Sequence, residues 1–106
     1  MRLNLGCADR HLPGFLNVDI VPPADFVTDL SASWPWPDNS ATEIVAEDIL
    51  EHLPNRIHTM NELHRVLANG GIARIVVPSA CEGSGFAQDP THQSAWSANS
   101  FQYFEY

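Results

Sequence analysis

The sequence predicts one α/β domain over residues 1–106 with a mostly parallel sheet, and three observations lead to this prediction. The segment 72–77 is nearly continuous in apolar residues and ends at Pro78, which is typical of a strand buried in a parallel sheet. An amphipathic helix precedes it, and another strand-like segment, 43–46, precedes the helix. Strand, helix and strand in this order form a βαβ unit, whose two strands run parallel.

The N-terminal part adds three strand-like segments, at 3–5, 17–20 and 26–30. Only residues 7–16 connect the first two, whereas a parallel crossover usually needs a dozen or more residues and a helix. We therefore expect part of one sheet face to stay uncovered by this connection. C-terminal aromatic residues or a second copy of the chain would cover it. The aromatic residues are Trp96, Phe101, Tyr103, Phe104 and Tyr106.

The one clear helix is predicted to begin at Leu53 and to stop at Gly70-Gly71. Pro54 would occupy its first turn, where proline is tolerated. Its apolar residues recur at helical spacing and predict a single buried stripe. The stripe consists of Ile57, Met60, Leu63 and Leu67.

Composition limits the partners that this chain can have. The formal net charge is -8 at pH 7, and the basic side chains are five scattered arginines. Nucleic-acid binding requires a basic patch, so we expect no nucleic acid as the main partner. No signal peptide precedes the first strand and no apolar run approaches the roughly 20 residues of a membrane span, so we expect a cytoplasmic protein.

Two cysteines, Cys7 and Cys81, stand far apart without the spacing of a metal or redox motif. Reduced, partly buried thiols are the expected state, rather than a disulfide or a metal site. Because both follow predicted strands, they can lie near each other at one edge of the sheet.

The first turn and the acid of the second strand suit a bound nucleotide. Gly6 lets the backbone approach a ligand closely, and Asp19 can accept hydrogen bonds from ribose hydroxyls. A nicotinamide dinucleotide would need a full Gly-x-Gly-x-x-Gly turn opening a helix, which is absent here.

Six segments, in order along the chain, resemble class I S-adenosylmethionine-dependent methyltransferases, some of them a short-loop subgroup. They are Leu-Asn-Leu-Gly-Cys at 3–7, Leu-Pro-Gly-Phe-Leu-Asn-Val-Asp-Ile at 12–20, Trp-Pro-Asp-Asn-Ser at 36–40, Leu-Glu-His-Leu at 50–53, Arg-Val-Leu-Ala-Asn-Gly-Gly-Ile-Ala-Arg-Ile at 65–75 and Asp-Pro-Thr-His at 89–92. The resemblance implies a Rossmann-like three-layer fold and S-adenosylmethionine as cofactor. Because the family's terminal antiparallel strands and some helices have no counterpart, we expect a reduced form, either a fragment or a chain completed as a homodimer.

The resemblance also implies roles for the residues around the methionine part of the cofactor. Gly6, Cys7 and Ala8 would wrap it, and Glu47 would border the methionyl and sulfonium region. Ala8 stands where the family has glycine, and it is strained if the turn requires a positive φ. Asn4 stands where the family has an acid.

The adenosine part would contact two acids and their neighbours. The resemblance makes Asp19, held at the site edge beside Ile20, the acceptor for both ribose hydroxyls. Asp29 would accept from the adenine amino group, with the Leu30 amide near the ring. A solvated carboxylate at position 19 and a turn cap at position 29 are the alternatives.

Methyl transfer is an in-line displacement in which the protein positions the acceptor and, where needed, removes a proton. The candidate bases are Asp48, His52 and His92, with Glu47 and Glu51 close to the first two. Asp48 and His52 are four residues apart, so on a helix they would face each other. This pair would be either a general base with an orienting carboxylate or a local helix cap with an ion pair, and both interpretations are open.

Several other features have a structural and a functional interpretation. His52, His58 and His64 recur every six residues, which scatters them around a helix, so we expect no metal site. Trp34 and Trp36 would either border adenine or fill the core. Residues 79–92 would form either a lid over the acceptor or a plain surface loop.

The leading hypothesis is therefore an S-adenosylmethionine-dependent methyltransferase. Its acceptor would be a small molecule or a sugar-like group, because the acidic charge and the absence of an Asn-Pro-Pro-Tyr signature argue against nucleic acid. The alternative is a cofactor-binding or assembly module without catalysis, which the missing strands and Ala8 favour.

Overall fold

The computed structural model describes residues 1–78, 90–94 and 96. Cys81, most of the predicted lid and the aromatic residues after Trp96 lie outside the described residues. The described elements are β1 (Arg2–Leu5), β2 (Leu16–Asp19), β3 (Phe26–Val27), β4 (Ala41–Glu47), a 3-10 turn (Leu50–His52), α1 (Arg56–Val66) and β5 (Leu67–Val76). No helix among them is long and apolar enough to cross a membrane.

The five strands form one sheet in the order β3-β2-β1-β4-β5, and every neighbouring pair is parallel. This confirms the predicted α/β fold class. Leu3 pairs with both Leu16 and Ile44, so the three side chains share one face of the sheet. That face carries the core, to which α1 contributes Met60 and Leu63.

The opposite face is covered unevenly within the described ranges. Over β1 and β2 it carries the buried amides Asn4 and Asn17, which bind the connecting loop. Over β4 and β5, Ile72 and Val76 are 58% and 49% exposed. The short connection after β1 therefore covers the part of the face that the sequence predicted to be uncovered, and Trp96 is fully buried in the main core.

The helix begins three residues later than predicted. Asn55 accepts a hydrogen bond from the His58 N–H at 3.0 Å and thereby caps α1, so Leu53 and Pro54 precede the helix. The predicted stripe was also wrong at Ile57, which is 64% exposed. At 3.6 residues per turn, Ile57 lies roughly 130° from the centre of the buried stripe. That stripe consists of Thr59, Met60, Leu63 and Val66.

The observed bounds of β5 and β3 depart from the predicted ones for reasons visible in the structure. β5 begins at Leu67 rather than at residue 72, because Leu67 pairs with Ala41 and the register then shifts before Ile72. Gly70, with φ 76°, lies in this irregularity and does not terminate the helix. β3 ends at Val27 rather than at residue 30, and a turn at Asp29 follows it.

Candidate functional site

A cavity of about 290 Å³ lies at the carboxyl ends of the strands, where ligands bind in open parallel sheets. Gly6, which follows β1, lies in the middle of the cavity, because β1 lies between β2 and β4 in the sheet. It separates two walls of the cavity. The wall on the side of β2 and β3 consists of Asp19, Ile20, Thr28, Asp29, Leu30 and Ser31. The wall on the side of β4 consists of Ile49, His52, Leu53, Pro54 and Gln93.

Asp19, the last residue of β2, ties the first turn to the second strand. Its Oδ2 accepts a hydrogen bond from the Ala8 N–H at 2.7 Å, and its Oδ1 accepts from the Ile20 N–H at 2.6 Å. A carboxylate has room for about four hydrogen bonds, so both oxygens retain capacity for a ligand in the cavity. This half-buried carboxylate lines the cavity, and its role toward the ribose hydroxyls stays a prediction.

Asp29 follows β3 and turns the chain into the cavity. Its Oδ1 accepts from the Ser31 N–H at 2.9 Å and from the Ser31 hydroxyl at 2.7 Å. These bonds hold the pKa of Asp29 below its ordinary value, so the group is a carboxylate at neutral pH. The turn-cap interpretation is confirmed, and the same side chain lines the cavity together with Leu30.

The turn after β1 has a left-handed backbone at two positions. Gly6 has φ 65° and Ala8 has φ 46°. Gly6 is required on a second ground, since a Cβ there would lie 2.6 Å from Cβ of Ile49. Ala8 has the positive φ that penalises alanine, and its N–H bond to Asp19 compensates part of the strain.

Cys7 lies between these two residues, with its side chain buried rather than in the cavity wall. Its N–H donates to the Val18 carbonyl at 2.9 Å. Burial raises the pKa of the thiol, so Cys7 is a neutral free cysteine at physiological pH. Cys81 lies outside the described residues, so the expected proximity of the two cysteines stays a prediction.

Asn4 replaces the family's acid for a reason visible in its contacts. Its Nδ2 donates to the Arg10 carbonyl at 2.8 Å and to Oδ1 of Asn17 at 2.9 Å. Asn17 Oδ1 also accepts from the Leu12 N–H. Because both partners of Asn4 are acceptors, a carboxylate at position 4 could not hold the short loop.

Glu47, predicted to border the methionyl region, lies at the end of β4 and is not part of the cavity wall. Its carboxylate pairs with Arg10 at 3.4 Å, and its carbonyl oxygen accepts from the same guanidinium. The structure therefore places Glu47 at the loop that covers β1.

The three candidate bases have different surroundings. Asp48 is exposed, has φ 57° and precedes the 3-10 turn, so the predicted helical pairing with His52 is wrong. His52 lines the cavity, and its Nδ1 lies 3.3 Å from the carbonyl oxygen of Thr91. The His92 ring is 4.9 Å from the His52 ring, in an edge-to-face arrangement.

Glu51, which the sequence placed beside the candidate bases, is buried and completes this region. Glu51 is only 2% exposed, its Oε2 lies 3.9 Å from Nε2 of His92, and its Oε1 has no hydrogen-bond partner among the described residues. Burial raises the pKa of Glu51. One ligand atom from each of Glu51, His52 and His92 lies within 4.8 Å of the other two, so these three residues could hold a metal ion.

Backbone contacts fix the segment that carries His92. The Glu51 carbonyl oxygen accepts from the N–H groups of Gln93, at 2.7 Å, and Ser94, at 3.0 Å. The Ser94 hydroxyl donates to the Leu50 carbonyl and accepts from the buried Trp96 indole. His92 is therefore held against the 3-10 turn.

Trp34 and Trp36 are both buried, and they belong to the main core rather than to the cavity wall. The core interpretation of these residues is confirmed. Sequence reasoning missed part of the cavity wall, because apolar and small polar residues after a strand carry no motif. The missed residues are Thr28, Ser31, Ile49, Leu53, Pro54 and Gln93.

The residues of the cavity fit the adenosine half of S-adenosylmethionine. Adenosine offers ribose hydroxyls and an amino group as donors, and the wall next to β2 and β3 presents the carboxylates of Asp19 and Asp29 beside the apolar Ile20 and Leu30. The volume of about 290 Å³ is at the lower end of the range for ligand pockets of roughly 300–1,000 Å³.

Comparison with known proteins gives one match. The model of a family described as a methyltransferase domain matches residues 11–75 of the 106-residue chain. The match extends from the loop after β1 into β5 and includes Asp19, Asp29, His52 and Arg65. Neither a curated protein nor a solved structure matches the chain.

Proposed function

The chain belongs to the class I methyltransferase domain family, and we propose that it transfers a methyl group from S-adenosylmethionine to a small-molecule or sugar-like acceptor. The observation that carries the proposal is the pair of carboxylates, Asp19 and Asp29, in one cavity at the carboxyl edge of a parallel sheet.

The cofactor would lie across the two walls of the cavity. Asp19 accepts hydrogen bonds from the ribose hydroxyls, and Asp29 accepts from the adenine amino group. Asp29 can do so while it caps the turn at Ser31, because that bond uses Oδ1 and no hydrogen bond to Oδ2 occurs in the described part of the chain. Ile20 and Leu30 supply apolar contact to the base.

The acceptor would approach from the wall next to β4. His52 and Gln93 are the polar side chains of this wall, and Ile49, Leu53 and Pro54 exclude water from it. Bound S-adenosylmethionine supplies an electrophilic methyl group, so the task of these residues is to position the acceptor atom in line with it. Of the three candidate bases, His52 is the one that can contact the acceptor directly.

The charges of the described residues favour a small acceptor over nucleic acid. Arg2 and Arg74 pair with Glu43, Arg10 pairs with Glu47, and Arg65 pairs with Glu62 and Asp38. These pairs neutralise the side chains that would otherwise contact phosphates. With a net charge of -8, the chain repels a polyanion.

A cofactor-binding module without catalysis is the second candidate, and Ile49 favours it. Its side chain packs against Gly6, so the backbone that would approach the methionine part is already in contact with protein. Ala8 adds strain to the same turn. Binding of S-adenosylmethionine without turnover on an acceptor panel would establish this candidate.

Calorimetric titration with S-adenosylhomocysteine tests the binding half of the proposal. We expect one site, and we expect Asp19→Asn to weaken affinity by about 10- to 100-fold, since a hydrogen bond to a charged group contributes about 1.5–3 kcal/mol. Asp29→Asn keeps the Oδ1 acceptor of the turn, and we expect it to weaken the affinity for S-adenosylhomocysteine about 10-fold.

Asp9→Asn is the matched control, because Asp9 is an exposed acid near the same turn and outside the cavity wall. It removes the same charge and should leave the affinity unchanged. No saturable heat with the wild-type chain would refute the proposal, and equal losses for Asp9→Asn and Asp19→Asn would refute the ribose role of Asp19. Folding of each variant is checked by circular dichroism.

A further inference from the structure

We propose that Glu51, His52 and His92 form a binding site for a divalent transition metal, Zn²⁺ in the first instance. One ligand atom from each residue lies within 4.8 Å of the other two. Two imidazoles and one carboxylate are an established ligand set for zinc, with a fourth position open to water or to another molecule.

The unpartnered oxygen of Glu51 points to a ligand independently of this clustering. Glu51 is 2% exposed, yet within residues 1–78, 90–94 and 96 its Oε1 has no hydrogen-bond partner. A buried acceptor left without a donor destabilises the folded protein, and it does so more strongly when it is charged. A bound cation would remove this destabilisation, because it replaces the missing donor and compensates the buried negative charge.

The spacing is close to that of a bound metal. Zinc lies about 2.0–2.2 Å from nitrogen and oxygen ligands, so tetrahedral ligand atoms are roughly 3.4 Å apart. Oε2 of Glu51 and Nε2 of His92 are 3.9 Å apart. Side-chain movements of about half an ångström would bring this pair to that separation, and the ligand atom of His52 lies within 4.8 Å of both.

The two imidazoles are held by the surrounding chain, as ligands of a built metal site are. Nδ1 of His52 lies 3.3 Å from the Thr91 carbonyl oxygen and 3.2 Å from the Thr91 hydroxyl. His92 lies between Thr91 and Gln93, and the Gln93 N–H donates to the Glu51 carbonyl. The same short segment thus orients both rings.

The proposed site adjoins the cavity, since His52 and Gln93 are part of the cavity wall. Metal binding at this site does not depend on the proposed methyltransferase function. If both hold, the open coordination position would bind an oxygen atom of the acceptor beside the methyl group.

Titration of the metal-free full chain with Zn²⁺, with S-adenosylmethionine omitted, tests the proposal. We expect one Zn²⁺ per chain and a higher melting temperature in its presence. Co²⁺ should bind at the same site and show the visible absorption of a low-coordinate ion with nitrogen ligands. Mg²⁺ prefers oxygen ligands and should neither bind nor stabilise at millimolar concentration.

Glu51→Gln and His92→Gln should each weaken Zn²⁺ binding at least 10-fold, whereas His11→Gln, an exposed histidine outside the cluster, should not. If either variant fails to fold, the Co²⁺ spectrum of the wild-type chain and its competition by Zn²⁺ still decide the question. Absence of saturable Zn²⁺ binding to the wild type would overturn the proposal, as would unchanged binding in both folded variants. If S-adenosylhomocysteine fails to bind while Zn²⁺ binds, the proposed function is refuted and the metal site is supported.

Discussion

Two largely buried glutamates, Glu62 on α1 and Glu51 on the 3-10 turn, have opposite surroundings. Both oxygens of Glu62 accept hydrogen bonds, from the Arg65 guanidinium and from the Trp34 N–H, and the pKa of Glu62 is lowered. In the part of the chain that the structure describes, Glu51 has one oxygen without a hydrogen-bond partner, and burial raises its pKa. Glu62 is thus fully hydrogen-bonded, whereas Glu51 is the buried carboxylate at which we propose a bound metal ion.

The Glu62 region joins two segments of the family pattern. Arg65 donates to the carbonyl oxygens of Trp34 and Trp36 and to the carboxylate of Asp38, in addition to Glu62. The helix thereby holds the loop that leads into β4. No oxygen of Glu62 or nitrogen of Arg65 in this network lines the cavity.

The largest effect is expected for Arg65→Met. It removes five hydrogen bonds and leaves Glu62, 15% exposed, without its cation. The free energy of unfolding from urea denaturation should fall by about 3 kcal/mol. Arg74→Met is the control, because Arg74 is 69% exposed and pairs only with Glu43 in the described structure. Its substitution should lower the free energy of unfolding by less than about 1 kcal/mol. Equal losses would contradict the structural role of Arg65.

The two glutamates should respond to amide substitution with opposite sign. Because the pKa of Glu51 is raised above its ordinary value of 4.5, the native state retains a proton that the unfolded chain has lost. The free energy of unfolding therefore falls as pH rises from about 4.5 through the raised pKa. At pH 8 with a chelator present, Glu51→Gln should increase stability by on the order of 1 kcal/mol.

Glu62→Gln provides the comparison in the same assay. Its lowered pKa stabilises the native state above the ordinary value of 4.5, and this contribution is lost as pH falls through the lowered pKa. The substitution should therefore decrease stability at pH 8. Loss of stability in both variants would show that the Glu51 carboxylate stabilises the fold as Glu62 does, and would contradict the difference between the two glutamates.

The smallest effect is expected at the first turn. Ala8→Gly relieves a left-handed backbone with φ 46°, which costs alanine about 1–2 kcal/mol, against the greater chain entropy of glycine. The net gain in the free energy of unfolding should be about 0.5 kcal/mol. Ala32 lies at an exposed bend without a positive φ, so Ala32→Gly should lower the free energy of unfolding by about the same amount. A loss at both positions would contradict the strain assigned to Ala8.

The fold and one wall of the cavity could be predicted because their signals are local. The alternation of strands and helix indicated the parallel sheet, and Asp19 ends β2 while Asp29 stands two residues after β3. The end of α1 could not be predicted, because the pairing of Leu67 with Ala41 overrides the usual effect of Gly70-Gly71 as a helix stop.

The Glu51 cluster could not be predicted for a different reason. Glu51 and His92 are far apart in sequence, and the hydrogen bonds from Gln93 and Ser94 to the Glu51 carbonyl bring them together. His52 drew attention because it stands in a family segment, yet its predicted partner, Asp48, has a backbone that ends the strand instead of starting a helix. Burial of Glu51 depends on tertiary packing and leaves no pattern in the sequence.

Nuclear magnetic resonance of the amide groups during titration with S-adenosylhomocysteine tests most directly whether the cavity, and not the fully bonded helix, binds the ligand. We predict that the amide signals of Gly6, Ile20 and Leu30 shift on saturation, while those of Glu62 and Arg65 stay unchanged. Unchanged signals at the cavity, or shifts confined to α1, would contradict the central claim that the carboxyl edge of this sheet is a cofactor site.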